Sequence, residues 1–291
     1  MGLELGLQSV INGLSLAALY ILVALGLTLL FSIMHILNFA HGELYMLGAF
    51  SIYFLMRLSP TESPILNYVV GIIVSMTLVG LLGVGMEKVF FKPIRGKPFQ
   101  GLIIAMALSM LIQGFSTYIF GVTDKGIRTV FEGVIRFGGA SLSVERFVAI
   151  IVSGILVIGL HLFVSYTKSG KAMRAIEQDP IGAALQGIRP DFTNSLAFLI
   201  AAGLAGVAGA LMAPIFVINP FMGTGPLLKA FMIIILGGMG SVSGCIAGGL
   251  IIGFMDSFVT VLVGAEVANA IGFTIVIAVI LIKPKGILGH T

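Results

Sequence analysis

The chain has 291 residues, 58% of them hydrophobic and 10% charged, where an ordinary soluble domain carries about 25% charge. A mean hydropathy of +1.14 excludes a water-soluble domain and leaves an all-α, polytopic bundle of membrane-spanning helices as the fold class. The formal charge of +4 is no nucleic-acid signal, because the basic residues gather in loops between apolar runs. The single cysteine, Cys245, rules out an intrachain disulfide and any cysteine-based metal cluster. Acidic Glu4, with no basic region before the first apolar run, argues against a cleaved signal peptide.

A hydrocarbon core of about 30 Å needs about 20 apolar residues per helix. On that ruler the spans fall at 8–31, 38–57, 65–86, 99–121, 146–166, 192–213, 227–244, 246–263 and 267–283. That gives nine, or eight if one is re-entrant, in a single domain covering 1–291. Three basic clusters share one side if the number is odd: Lys88, Lys92, Arg95 and Lys97; Lys168, Lys171, Arg174 and Arg189; and Lys283 with Lys285. The other side receives Arg57, Lys125, Arg128, Arg136, Arg146 and Lys229. The imbalance places the Lys168 loop and the C-terminus in the cytoplasm and the N-terminus outside.

The first span leads into Asn38-Phe39-Ala40-His41-Gly42-Glu43, where apolar residues alternate with polar ones that are expensive in lipid. Both demands are met if the backbone breaks inside the bundle, against partners or a cavity. Two readings of Asn38, His41 and Glu43 stand. They cap the helix that starts there and satisfy each other or its free amides, or they touch a passing substrate. No third ligand lies at helical spacing for a metal, and no nucleophile accompanies the pair for catalysis. Together with Tyr45-Met46-Leu47-Gly48-Ala49, this stretch closely resembles the N-terminal signature of the permease subunits of branched-chain amino acid ABC importers, of the H type of the high-affinity system.

Ser59 to Pro64 is a proline-bracketed external turn, and Lys88 to Pro98 a basic, proline-stiffened cytoplasmic link. The external loop 122–146 carries Gly138-Gly139 between two short segments and reads as a β-hairpin or a short amphipathic excursion.

The charged interruption 168–191 contains a delimited short helix over 180–186. Asp179 is placed to cap it and Pro180 to occupy its first position, while Gly187 supplies a left-handed exit and Pro190 prevents resumption. At two turns it is too short to span, and it reads either as solvated loop or as a docking helix. Gly170, Lys171, Arg174, Asp179, Pro180, Ala183, Ala184 and Gly187 resemble the ATPase-coupling loop of the same permeases, with Ile181 and Gly182 departing from the broader Glu-Ala-Ala pattern.

Small residues over 201–210 suit close helix packing. Asn219-Pro220 with Gly223 and Gly225 reads as an external connection. The Gly-rich break over 236–244 pairs with the break over 38–48 as two interruptions of a central path. It is not a phosphate loop, since no Lys-Ser/Thr follows. Asp256 lies mid-span and should face the bundle, as a satisfied interior carboxylate or a path residue, while Glu266 and Asn269 sit at an external turn.

The resemblance extends from Asn12 to Pro284. It implies a non-enzymatic importer subunit in a bacterial inner membrane, paired with a homologous second permease, two cytoplasmic ATPases and an external solute-binding protein. ATP and Mg would then belong to the ATPases, and this chain would bind no cofactor. Related permeases carry urea, short amides or other small organic solutes, so those remain alternative substrates. A secondary transporter or channel would instead have to use His41, Glu43 and Asp256 for ion coupling.

Overall fold

The computed structural model describes residues 2–58 and 63–289; most of the proline-bracketed turn expected at Ser59 to Pro64 lies outside them. Among the described residues the regular elements are helices and one small hairpin: α1 Leu3–Met34, α2 His41–Leu58, α3 Pro64–Met86, α4 Pro98–Phe120, β1 Val134–Phe137, β2 Ala140–Ser143, α5 Val144–Tyr166, α6 Lys168–Gln178, α7 Pro180–Leu185, α8 Pro190–Met212, α9 Thr224–Gly237, α10 Val242–Val263 and α11 Ala265–Ile282. In α1 and α8, 78% of the most apolar stretch is buried, against 17% in α4, α5 and α11. The first two helices are therefore the axis, and the last three turn hydrocarbon outward.

Small residues explain how the axis closes. A Cβ at Gly209 would lie 1.9 Å from the Tyr45 carbonyl oxygen, and one at Gly48 would lie 2.1 Å from that of Gly206. Hence α2 and α8 cross with backbone touching backbone, the contact that lipid-soluble helices need where apolar burial gives no push. Gly253 of α10 meets the Ala17 main chain of α1 in the same way, and Gly249 makes room for the Ile21 side chain.

Among the described residues, seven helices are long and apolar enough to cross a membrane: α1, α3 with its extension to Ile94, α4, α5, α8, α10 and α11. The expected spans at 38–57 and 227–244 correspond to α2 and to α9, which has 14 residues. Both begin inside the bundle. The first span ends at His35 in the left-handed region (φ 54°), and the chain then doubles back until His41 Nε2 lies 3.1 Å from the Val23 carbonyl oxygen. Val23 stands roughly 16 Å back along α1 by helical rise, a distance that the six linking residues can cover at about 3.3 Å each. After α8 the segment 213–223 also turns inward, until Gly223 meets Gly42. A Cβ on Gly223 would come within 2.1 Å of the Gly42 carbonyl oxygen. The partner of the 38–48 break is therefore 219–225, expected outside, and not the 236–244 break. The latter turns at one end of the bundle, with Gly238 and Gly240 at positive φ.

The two ends of the bundle are distinct. At one end β1 and β2 pair antiparallel through a two-residue turn, with Gly138 at φ 53° and Gly139 at φ 87°, the paired positive angles that a tight hairpin requires. Gln8 of α1 both donates to and accepts from the Ser141 backbone, at 3.0 and 2.8 Å, while Lys125 and Ile218 form an isolated bridge. At the opposite end Lys92 and Arg95 bind Asp191 at the start of α8, the Ile287 amide donates to the Leu236 carbonyl, and the Ser32 hydroxyl to that of Gly240. All three basic clusters thus lie at the end carrying α6 and α7. The basic link expected over 88–98 is not free: helix continues through a π-helical turn, Glu87–Phe91, and a 3-10 turn, Lys92–Ile94.

Candidate coupling and translocation sites

The helix expected over 180–186 is present as α7, and both its caps are built as the sequence indicates. The Asp179 carboxylate accepts from the Ile181 amide at 3.0 Å, with Pro180 in the first turn. At the far end Gly187 is left-handed (φ 83°), and the Ile188 and Gly187 amides return to the Ala183 and Ala184 carbonyls at 3.1 and 3.0 Å. That pair of bonds satisfies the final carbonyls of a helix too short to hold itself. Ala183 is buried as the anchor, whereas Ile181 and Leu185 are 74% and 81% exposed. Two apolar side chains four residues apart thus face outward on a fixed handle.

The preceding stretch, expected as loop, is a second helix. Its cap is the Thr167 hydroxyl, which accepts from the Gly170 amide at 3.0 Å. Gly170 is there because α6 turns hard against the end of α5: a Cβ would lie 2.3 Å from the Phe163 carbonyl oxygen. The Arg174 guanidinium donates to the Ser165 carbonyl at 2.9 Å. These two residues fix the angle between span and handle, while Lys171 is exposed. Just beside them, Arg95 binds both Glu87 and Asp191, and Ser195 donates to the other Glu87 oxygen at 2.7 Å. The foot of α8, directly after α7, is therefore tied to the end of α3. Neither Glu87 nor Arg95 stood out in the sequence as more than loop charge.

Asn38, His41 and Glu43 are all buried at the start of α2. The Asn38 side-chain oxygen accepts from the Ala40 amide at 3.1 Å, which fixes the turn leading into α2 rather than a free amide within it. His41 and Glu43 do not satisfy each other. His41 reaches Val23 on α1, and Glu43 accepts from the Ser109 hydroxyl of α4 at 3.1 Å. Each of the three keeps one buried polar atom without a partner among the described residues: Asn38 Nδ2, His41 Nδ1 and Glu43 Oε2.

Asp256 sits elsewhere, on the wall of a cavity of about 620 Å³ whose lining includes Tyr20, Tyr45, Met222, Gly225, Lys229 and Asn269. Lys229 is not a loop charge as expected. It is 7% exposed, and its ammonium donates to Asp256 Oδ1 at 2.5 Å. The Tyr20 hydroxyl donates to the other carboxylate oxygen at 3.1 Å. The cavity faces the end away from α7, as its lining by Phe216, Asn219 and Ala265 requires.

Helices that break mid-bundle, a path-like cavity and a capped handle at one end are the parts of a transport subunit, and comparison with known proteins agrees. The family described as branched-chain amino acid transport system / permease component matches residues 9–282. The chain belongs to this permease family. It is 33% identical over 294 residues to the high-affinity branched-chain amino acid transport system permease protein LivH of Escherichia coli K12, covering 98% of this chain and 96% of that one. Against the corresponding BraD protein of Pseudomonas aeruginosa identity is 32% with the same coverage. Against a probable branched-chain amino acid transport permease, LivH of Methanocaldococcus jannaschii, it is 30%, covering 98% and 94%. No solved structure matches.

Within this multi-pass permease the four residues expected on the path do not converge. His41 and Glu43 hold the start of α2 against α1 and α4 and Asn38 fixes the turn before it, while Asp256 shares its cavity with Lys229 and Tyr20. Lys229 escaped the sequence reading because it lies five residues into α9, near a predicted span boundary, where an ordinary flanking lysine looks the same.

Proposed function

We propose that this chain is the permease subunit of an importer that moves branched-chain amino acids inward, driven by two partner ATPases that grip α7. One observation carries the reading: a six-residue helix, capped at both ends, holds Ile181 and Leu185 out from the end where the basic loops gather. An isolated helix of that length is marginal in water, and exposed apolar residues on a held element suit a partner's groove. ATP-driven closure of the ATPases would pull on α7. The Arg95 ties would carry that pull into α3 and α8 together.

The membrane path follows from the same ends. With the basic loops in the cytoplasm, the chain crosses nine times, seven by long helices and two by a re-entering segment joined to α2 or α9. The N-terminus and the hairpin then lie outside, where a solute-binding protein delivers cargo, and the C-terminus lies inside. A homologous second permease would complete the pore in a bacterial inner membrane. Substrate recognition would be shared with the binding protein, and the names of the relatives favour leucine, isoleucine and valine.

The test is leucine uptake into vesicles holding the full complex with its binding protein. Wild-type complex should import leucine only with ATP inside the ATPase compartment. Ala184→Asp or Gly187→Asp should abolish uptake while the subunit stays in the membrane. Undiminished ATP-driven uptake in both variants would contradict the docking role of α7, and leucine uptake by this chain alone on an ion gradient would overturn the importer reading.

A further inference from the structure

Lys229 and Asp256 form an ion pair with side chains only 8% and 10% exposed. Replacing such a pair by well-packed apolar residues is commonly neutral or stabilising, because desolvating two ions offsets much of their attraction. Packing alone therefore gives no reason for it. Its position does: the pair is not sealed in the core but forms part of the wall of the cavity of about 620 Å³, within the size range of small-molecule sites, roughly 300–1,000 Å³. Around it the lining is chiefly apolar, with Leu16, Met212, Met222, Met232 and Phe273. Gly225 and Pro226, in the first turn of α9, bring the positive end of a helix dipole to the same cavity.

We infer that the Lys229–Asp256 pair is the passage site for the charged head of an apolar α-amino acid. Its carboxylate would be taken by Lys229 at the start of α9, its ammonium by Asp256 and its side chain by the methionine and Phe273 wall. This deepens the importer reading and rests on it, including the outward-facing sense of the cavity. The chemistry is an exchange of partners. A zwitterion brings one charge of each sign, so opening the pair leaves neither protein ion alone, and the Tyr20 hydroxyl stays available to Asp256 throughout. When the solute leaves, the two side chains close on each other again, so the empty path holds no unpaired ion. A solute with one charge would strand either Lys229 or Asp256 in a site of low polarity, which is a strong ground for rejection.

Two variants of the full complex test this by radiolabelled L-leucine uptake in vesicles. Lys229→Asp combined with Asp256→Lys keeps an ion pair but reverses its polarity relative to the α9 dipole. Gly225→Leu adds bulk at the cavity wall, at a position where a Cβ meets no atom within 4 Å. Both complexes should assemble, judged by co-purification of the ATPases, and each should import leucine at least about tenfold more slowly than wild type. Wild-type uptake by an assembled complex of either variant would overturn the site. If the reversed pair does not assemble, Gly225→Leu decides alone. Absence of ATP-driven amino acid uptake in the wild type would remove the importer reading and the site with it, whereas wild-type uptake with indifferent variants would remove the site only.

Discussion

Two groups of paired charges lie at different levels of this permease, and they differ in their access to water. In the cavity, Lys229 and Asp256 are both nearly enclosed. At the foot of α8, Glu87 is fully enclosed and Arg95 is 24% exposed, while Asp191 and Lys92 are 60% and 49% exposed. The second group is thus graded from buried to wet along its own length, and the first is not. A graded cluster can change partners at the water boundary at little cost. The enclosed pair can open only against another pair of charges, as the proposed solute site requires, whereas the graded cluster suits the proposed coupling path.

This contrast can be broken most sharply at Lys229. Lys229→Met alone leaves the Asp256 carboxylate enclosed with only Tyr20 to meet it, and should destabilise the subunit by about 3–5 kcal/mol. Steady-state abundance in membranes and the melting temperature in detergent should both fall, and adding Asp256→Leu should recover most of the loss. A single variant as abundant and heat-stable as wild type would show that water reaches the pair freely. Glu87→Ala is the intermediate case. It removes the acceptor of Ser195 and one of the two partners of Arg95, and should lower stability by about 1.5–3 kcal/mol, the usual range for hydrogen bonds to a charged group. A melting temperature unchanged by Glu87→Ala would mean that the Arg95 joint is held by Asp191 alone. Asp191→Ala should have the smallest effect, under about 1 kcal/mol, and high salt should erase it. A loss matching that of Glu87→Ala would remove the gradation.

Legibility in the sequence followed the range of the interactions involved. The caps of α7 and the turn of the hairpin were readable because each is set by residues within a few positions: Asp179-Pro180 and Gly187 in one case, Gly138-Gly139 in the other. The apolar runs likewise gave the position of every long helix. What could not be read is set by distant partners. Nothing local marks Gly42 and Gly223 among 39 glycines as the two that touch. Arg95 finds Asp191 across 96 positions, and Lys229 finds Asp256 only because α9 starts inside the bundle. The helix α6 was missed for a different reason. It is amphipathic and polar, so a hydropathy ruler passes over it, although the Thr167 hydroxyl cap was available as a signal.

The meeting of Gly42 and Gly223 has a consequence for motion. Ordinary helix contacts interlock, and sliding one past another means lifting each side chain out of its socket and changing its rotamer. Where two main chains rest on each other with only the Leu227 Cβ beside them, there is little to lift. The junction between α2 and α9 is in that sense a bearing, along which the outer and inner parts of the bundle can shear with no rotamer change at the point of contact.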